Sequence, residues 1–138
     1  MRILGIDYGE ARTGLAISDE KEIVATVLQT VAERNHEKLA DTIALICKTR
    51  EIEKIVLGLP KNMDGTEGFR AEYTRKFQAM LQERLPELEY DFYDERLTTV
   101  AASYFMQEAG TKGKKKKASI DALSAQIILQ DYLDRNNR

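Results

Sequence analysis

The feature that most constrains this sequence is how little chain separates its first three β-compatible segments. Residues 2–7 are short and apolar and end at the turn residues Tyr8-Gly9. Thr13 to Ser18 follows after a loop that fits a hairpin, and residues 23–31, rich in Val, Thr and Ile, follow a turn at Asp19-Glu20-Lys21. Parallel neighbours need a crossover of about a dozen residues or more, so these three segments can pair only antiparallel. Beyond Asn35 the period changes: Leu39, Ile43, Ile46 and Cys47 recur at helical spacing and predict an amphipathic helix over 35–50. Lys54 to Leu59, closed by Pro60, reads as a buried parallel strand. A second helix is expected over 67–85, stopped by Pro86, then a fifth strand over 89–93 and two helices over 97–109 and 119–134.

This order, βββαβαβαα, specifies an α/β fold with a five-stranded mixed sheet, three antiparallel strands then two parallel, and helices on both faces. Right-handed crossovers place the fourth strand beside the first and the fifth beyond it. Strands one, four and five then run the same way, so Asp7, Leu59-Pro60 and Asp94-Glu95 emerge at one edge, where α/β sheets usually bind ligands.

The chain has 138 residues and 43% hydrophobic content, enough to build one domain over 1–138 without a disulfide framework or a structural metal. That composition excludes collagen-like, mucin-like and wholly disordered chains. The single cysteine, Cys47, reads as a small buried hydrophobe on its helix. No run approaches the ~20 apolar residues of a membrane span, and the N-terminus lacks a secretory layout, so a cytoplasmic protein without a membrane partner is expected. A formal net charge of −2 does not favour a wholly basic nucleic-acid binder, but leaves room for a local basic patch.

Three acidic positions carry the chemistry. Asp7 ends an apolar strand beside a glycine; alone it reads as a turn-forming Asp. Asp94-Glu95-Arg96 ends strand five, where alternation puts Glu95 with Tyr93 on one side and Asp94 with Phe92 and Tyr90 on the other; a helix start capped by Asp94 is the competing account. Asp121 shares its helix side with Ala125, Ile128 and Tyr132, so its carboxylate faces inward unless it merely complements the helix dipole. If the last helix packs across the ligand edge, the three carboxylates converge, and their repulsion calls for raised pKa values or a divalent cation. With no suitable His or Cys beside them, and His36 reading as a surface residue, oxygen ligands select Mg²⁺ or Mn²⁺. Two such ions about 4 Å apart can drive in-line phosphodiester cleavage, so metal-dependent nucleic-acid hydrolysis is the chemistry expected of Asp7, Glu95 and Asp121.

Candidate substrate-holding groups surround the same edge. Residues 111–117 read as a flexible basic loop carrying Lys114, Lys115, Lys116 and Lys117, a run that neutralises phosphates without reading sequence. Arg12, Lys61, Asn62 and Arg96 are placed to donate to phosphate oxygens. Gly65 and Gly68 flank a loop opening helix two, a weak anion-binding signal. Tyr8 reads as a base-stacking residue or, more simply, a rim tyrosine.

Four motifs occur in order along nearly the whole chain: Asp7-Tyr8-Gly9 through Arg12-Thr13-Gly14; Gly58-Leu59-Pro60-Lys61-Asn62-Met63-Asp64-Gly65; Asp94-Glu95-Arg96-Leu97-Thr98-Thr99; and Lys115-Lys116-Lys117 ahead of Ser119-Ile120-Asp121-Ala122-Leu123-Ser124-Ala125. Together they resemble the YqgF (RuvX) family. The resemblance implies the RNase H-like fold, kinship with the RuvC resolvases and a Mg²⁺-dependent nuclease. It further implies processing of the 5′ end of the precursor of 16S ribosomal RNA, with pre-ribosomal particles as partners, or, in an older assignment, cleavage of Holliday junctions. Asp7 matches the strand-one acid, the Asp94-Glu95 pair the strand-end acid, with Glu95 favoured, and Asp121 the acid on the last helix. RuvC resolvases carry a further acid near the last one, whereas Ala122, Leu123 and Ser124 follow Asp121 here, which implies weaker retention of a second metal. Two rivals remain: a phosphotransferase of the actin and hexokinase class, for which 138 residues supply only one lobe, and a non-catalytic RNA-binding assembly factor. Monomer and homodimer are both compatible with the sequence.

Overall fold

In the computed structural model, which describes residues 1–98 and 113–137, the first three strands form the antiparallel ribbon that their short connections demand. They are β1 (Ile3–Asp7), β2 (Thr13–Ser18) and β3 (Ala25–Val31). β4 (Lys54–Leu59) adds parallel to β1, and β5 (Glu89–Asp94) adds parallel to β4, giving the order β3-β2-β1-β4-β5. Among the described residues, three helices accompany the sheet, α1 (His36–Thr49), α2 (Phe69–Arg84) and α3 (Gly113–Asn136), with a 3₁₀ turn at Glu95–Leu97 after β5. This is the mixed sheet expected from the sequence.

The helix limits have local causes. Asn35 caps α1 by accepting from the Lys38 amide at 3.0 Å, and α2 ends at Leu85, directly before Pro86. β3 begins two residues later than expected because the Asp19 carboxylate accepts from the amides of Ile23 and Val24, at 2.8 and 3.0 Å, holding both in a turn. A larger correction concerns the lysine run. The backbone from Gly113 onward is already helical, so Lys114 to Lys117 stand on α3 rather than in a loop. Lysine is a good helix former, and a solvated helix tolerates a run of like charges at modest cost. Of the helix expected over 97–109, the first two residues form the end of the 3₁₀ turn and its cap; the rest lies outside the described residues.

The sheet's two faces are unequal. α1 and α2 pack on one face through a layer of large apolar residues from helices and strands, among them Leu4, Ile6, Leu15, Ile43, Leu57, Phe77 and Leu81, all essentially without solvent exposure. Among the described residues α3 covers the other, against Ile3, Ala16, Val56 and Tyr93. Cys47 is buried in the first layer, which pushes its thiol up to about 12, as a small hydrophobe would require. Among the described residues no helix is long and apolar enough to cross a membrane.

Candidate active site

Alternation along β1 sends Leu4 and Ile6 to the thick layer and Ile3, Gly5 and Asp7 toward α3. Asp7 lies opposite Gly14 in the β1–β2 ladder. A Cβ on Gly14 would stand 1.9 Å from the backbone oxygen of Asp121, so only glycine lets α3 come down onto β2 there and bring Asp121 over the end of β1. A second close approach operates across the β4–β5 pair. Gly58 leaves room that a Cβ would take, 2.6 Å from Glu95 Oε1 and 2.7 Å from Ile128 Cδ1. Tyr93 packs beneath α3, and just past it the chain leaves β5 into the 3₁₀ turn, whose first residue is Glu95.

The two adjacent acids at that turn have opposite fates. Asp94 caps the turn through the Arg96 amide at 3.0 Å and receives the Arg96 guanidinium as a fork, with Nη2 at 2.6 Å; these bonds hold its carboxyl below the ordinary range. Glu95 instead meets Asp7. The Asp7 carboxyl is pushed well above its ordinary value, first by burial, then by the Glu95 charge and the hydrogen bond between the two carboxyls, then by Asp121; Arg70 opposes the shift. Burial and the neighbouring carboxylates therefore disfavour a charge on Asp7. Asp121 is also raised by burial, against the pull of Arg12, whose Nε lies 3.1 Å from Oδ2.

The three acids thus stand at one edge, but in two arrangements: Asp7 and Glu95 face each other, while Asp121 is turned toward a guanidinium. Among the described residues no three His, Cys, Asp or Glu side chains are grouped closely enough to hold a metal ion. The chemistry of the donor set still fits a hard divalent cation, since a desolvated carboxyl pressed against a second one is what such an ion relieves. Asp121 can join them only by exchanging Arg12 for the cation.

The phosphate-binding candidates are more engaged than the sequence suggests. Arg12 is the partner of Asp121, and Arg96 serves Asp94 and the Met63 carbonyl at 3.3 Å. Asn62 is structural to its loop: its side-chain amide donates to Thr66 Oγ1 at 2.9 Å, and its carbonyl receives the Gly65 amide at 2.9 Å. Gly65 adopts φ +91°, which that turn needs. Lys61 makes no ion pair with the described residues, and its charge acts on Glu67 and Asp94. The side chains of Lys114, Lys115, Lys116 and Lys117 lie outside the described residues. Tyr8 is a rim tyrosine, stacked on Phe77 at 4.5 Å between ring centroids and hydrogen-bonded to His36, itself exposed. Sequence reasoning missed Arg70, a cation that acts on Asp7. The available signal was its place in the first turn of α2, just after Gly68, at the end of the sheet where β4 delivers its chain.

Comparison with known proteins agrees with this architecture. A family model described as RuvX, Holliday junction resolvase, matches residues 1–135. A relative from Acetivibrio thermocellus is 43% identical over 139 residues, covering 100% of this chain and 99% of its own. Another, from Protochlamydia amoebophila, is 46% identical over 140 residues, covering 96% and 93%. Both carry the name "Putative pre-16S rRNA nuclease". Among solved structures, T. thermophilus RuvC in complex with a Holliday junction substrate is similar with a TM-score of 0.63 at 11% identity, covering 99% of this chain and 96% of that one. The fowlpox virus resolvase, solved with substrate Holliday junction DNA, is similar with the same TM-score of 0.63 at 11% identity, covering 100% of both chains. At that identity the two structures speak for the RNase H-like fold alone. With the family match running through nearly every residue and relatives above two-fifths identity over the full length, the chain belongs to the RuvX family.

Proposed function

We propose that this protein is a divalent-metal-dependent nuclease that hydrolyses phosphodiester bonds in structured RNA, and that its substrate is the 5′ end of precursor 16S ribosomal RNA. The observation that carries this reading is the Asp7–Glu95 carboxyl pair, half-buried and in mutual contact at the ligand edge of the sheet, with Asp121 acting on Asp7 beside it. Asp7 and Glu95 would hold the cation, with Asp121 joining on release from Arg12; Mg²⁺ or Mn²⁺ supplies water activation and neutralises charge on the scissile phosphate. Arg12, freed by that exchange, becomes a donor to a phosphate oxygen, and Lys61, which makes no ion pair with the described residues, stands at the same edge for a second contact. Lys114 to Lys117, leading into the helix of Asp121, extend the phosphate track. Relatives named for pre-16S rRNA support the RNA substrate, and the partner implied is a pre-ribosomal particle in the cytoplasm.

The family description favours a second substrate, the Holliday junction. A junction has two symmetric cuts and calls for a homodimer, whereas trimming an RNA end needs one site. The deciding experiment incubates the purified protein with Mg²⁺ or Mn²⁺ and, in parallel, a pre-16S 5′ fragment and a four-way DNA junction, with the oligomeric state measured on the same sample. Cutting of the RNA fragment, abolished by Asp7→Asn with binding retained, is the expected result. Cutting of the junction alone by a dimer replaces the RNA substrate with DNA, and binding without cleavage under either ion leaves an RNA-binding assembly factor.

A further inference from the structure

α2 presents two stripes rather than one. Ala71, Thr74, Phe77 and Leu81 are buried against the sheet, as a helix covering a core requires. A neighbouring stripe at the same spacing, Phe69, Tyr73 and Lys76, looks outward, with Phe69 67% and Tyr73 45% exposed, and runs on to Met80, which is half-buried against the core. The two rings lie 5.9 Å apart edge to face. Large aromatic side chains left in water next to each other are unusual unless something covers them.

The second stripe forms one wall of two adjoining hollows. The first, about 310 Å³, reaches from Phe69, Arg70 and Tyr73 across Tyr8 to Pro60 and Glu95, and so ends at one member of the carboxyl pair. The second, about 560 Å³, continues past Tyr8 and Tyr73 to Lys76 and Met80, with Arg34 and His36 opposite. Tyr8 and Tyr73 line both, making one groove along α2 of about 16 Å from Phe69 to Met80 at 1.5 Å rise per residue. Arg70 at one end and Arg34 at the other make no ion pair with the described residues.

We propose that this groove seats an unpaired stretch of the nucleic-acid strand next to the scissile phosphate, its bases stacking on Phe69 and Tyr73 and its phosphates meeting Arg70 and Arg34. Aromatic platforms with cations along one track are how proteins hold single strands without reading sequence, since every base has a π-face. The proposal rests on the nuclease reading for the phosphodiester at Asp7 and Glu95, and it deepens that reading by making the substrate a strand with an unpaired segment rather than continuous duplex.

The test measures binding, with Asp7→Asn as the background to prevent cleavage. The probes are an RNA hairpin with an unpaired 5′ adenosine tail, the same hairpin with an abasic tail of equal length, and the blunt hairpin. The expected result is tighter binding of the adenosine tail than of the abasic tail by about tenfold or more, a preference erased by adding Phe69→Ala and Tyr73→Ala and restored by Phe69→Trp. A preference unchanged by removing both rings, or equal affinity for the two tails, overturns the groove assignment while the nuclease reading stands on its own cleavage assay. Failure to bind any of the three probes overturns both. Because both rings are exposed, an unchanged circular dichroism spectrum verifies that the variants are folded.

Discussion

The two faces of the sheet do different work. Under α1 and α2 the strands contribute Leu4, Ile6, Leu15, Ile55 and Leu57, so that layer is thick and held by apolar burial. Under α3 the same strands contribute Ile3, Gly5, Ala16, Val56 and Gly58, and the helix sits close. The thin face ends in Asp7, Glu95 and Asp121. Small residues there trade packing area for proximity, which brings the helix that carries Asp121 down onto the sheet edge that holds Asp7 and Glu95. The thick face supplies the stability that the acidic end spends.

Four measurements can break or sharpen this contrast. Asp7→Asn has the largest expected effect: a loss of cleavage of about a thousandfold or more, on the order of 4 kcal/mol in transition-state stabilisation, read in single-turnover assays. Retained cleavage would remove Asp7 from the chemistry. On the thick face, Leu57→Ala should lower unfolding free energy by about 2–5 kcal/mol in urea titration, since Leu57 is fully buried. On the thin face, Gly14→Ala drives a methyl into the Asp121 carbonyl. The expected stability loss is about 1–3 kcal/mol, accompanied by loss of cleavage because α3 must lift. Normal activity in a folded Gly14→Ala protein would show that the position of Asp121 is not set by that contact.

The smallest effects concern protons. A carboxyl whose pKa is raised on folding stabilises the fold fully below its unfolded value and loses that contribution as pH rises through the folded value; Asp7 is of this kind. Asp7→Asn should therefore raise the melting temperature without divalent ions, by an amount that grows as pH climbs from the ordinary carboxyl range toward neutrality. Mg²⁺ should then stabilise the wild-type protein and not the variant. Asp94 has the opposite sign. Its lowered pKa contributes stability above the unfolded value that disappears as pH falls through the folded one, and Arg96→Ala should flatten that acid limb. Melting curves across pH for the wild type and both variants read all three effects.

Much of the fold was legible because its signals are local. Connection lengths before Asn35 forced the antiparallel ribbon, periodicity placed α1, and Pro60 and Pro86 closed β4 and α2. What misled was also local: Asp19 takes the amides of Ile23 and Val24 into a turn, and a lysine run that looks like a solvated loop continues a helix. The site was legible as residue types at one edge, but not as partnerships. Nothing in Asp94-Glu95 says which acid receives Arg96, and nothing near Arg12 announces Asp121, more than a hundred residues away.

The sequence by itself therefore determined the order and direction of the strands, and with them which end of the sheet collects the acids, because strand pairing and crossover handedness follow from segment length and chirality. The tertiary structure alone decided that Asp7 meets Glu95 while Asp94 and Asp121 find guanidinium partners. Those choices depend on separations of a few ångströms between elements remote in the chain, where burial and Coulomb energy change steeply with distance.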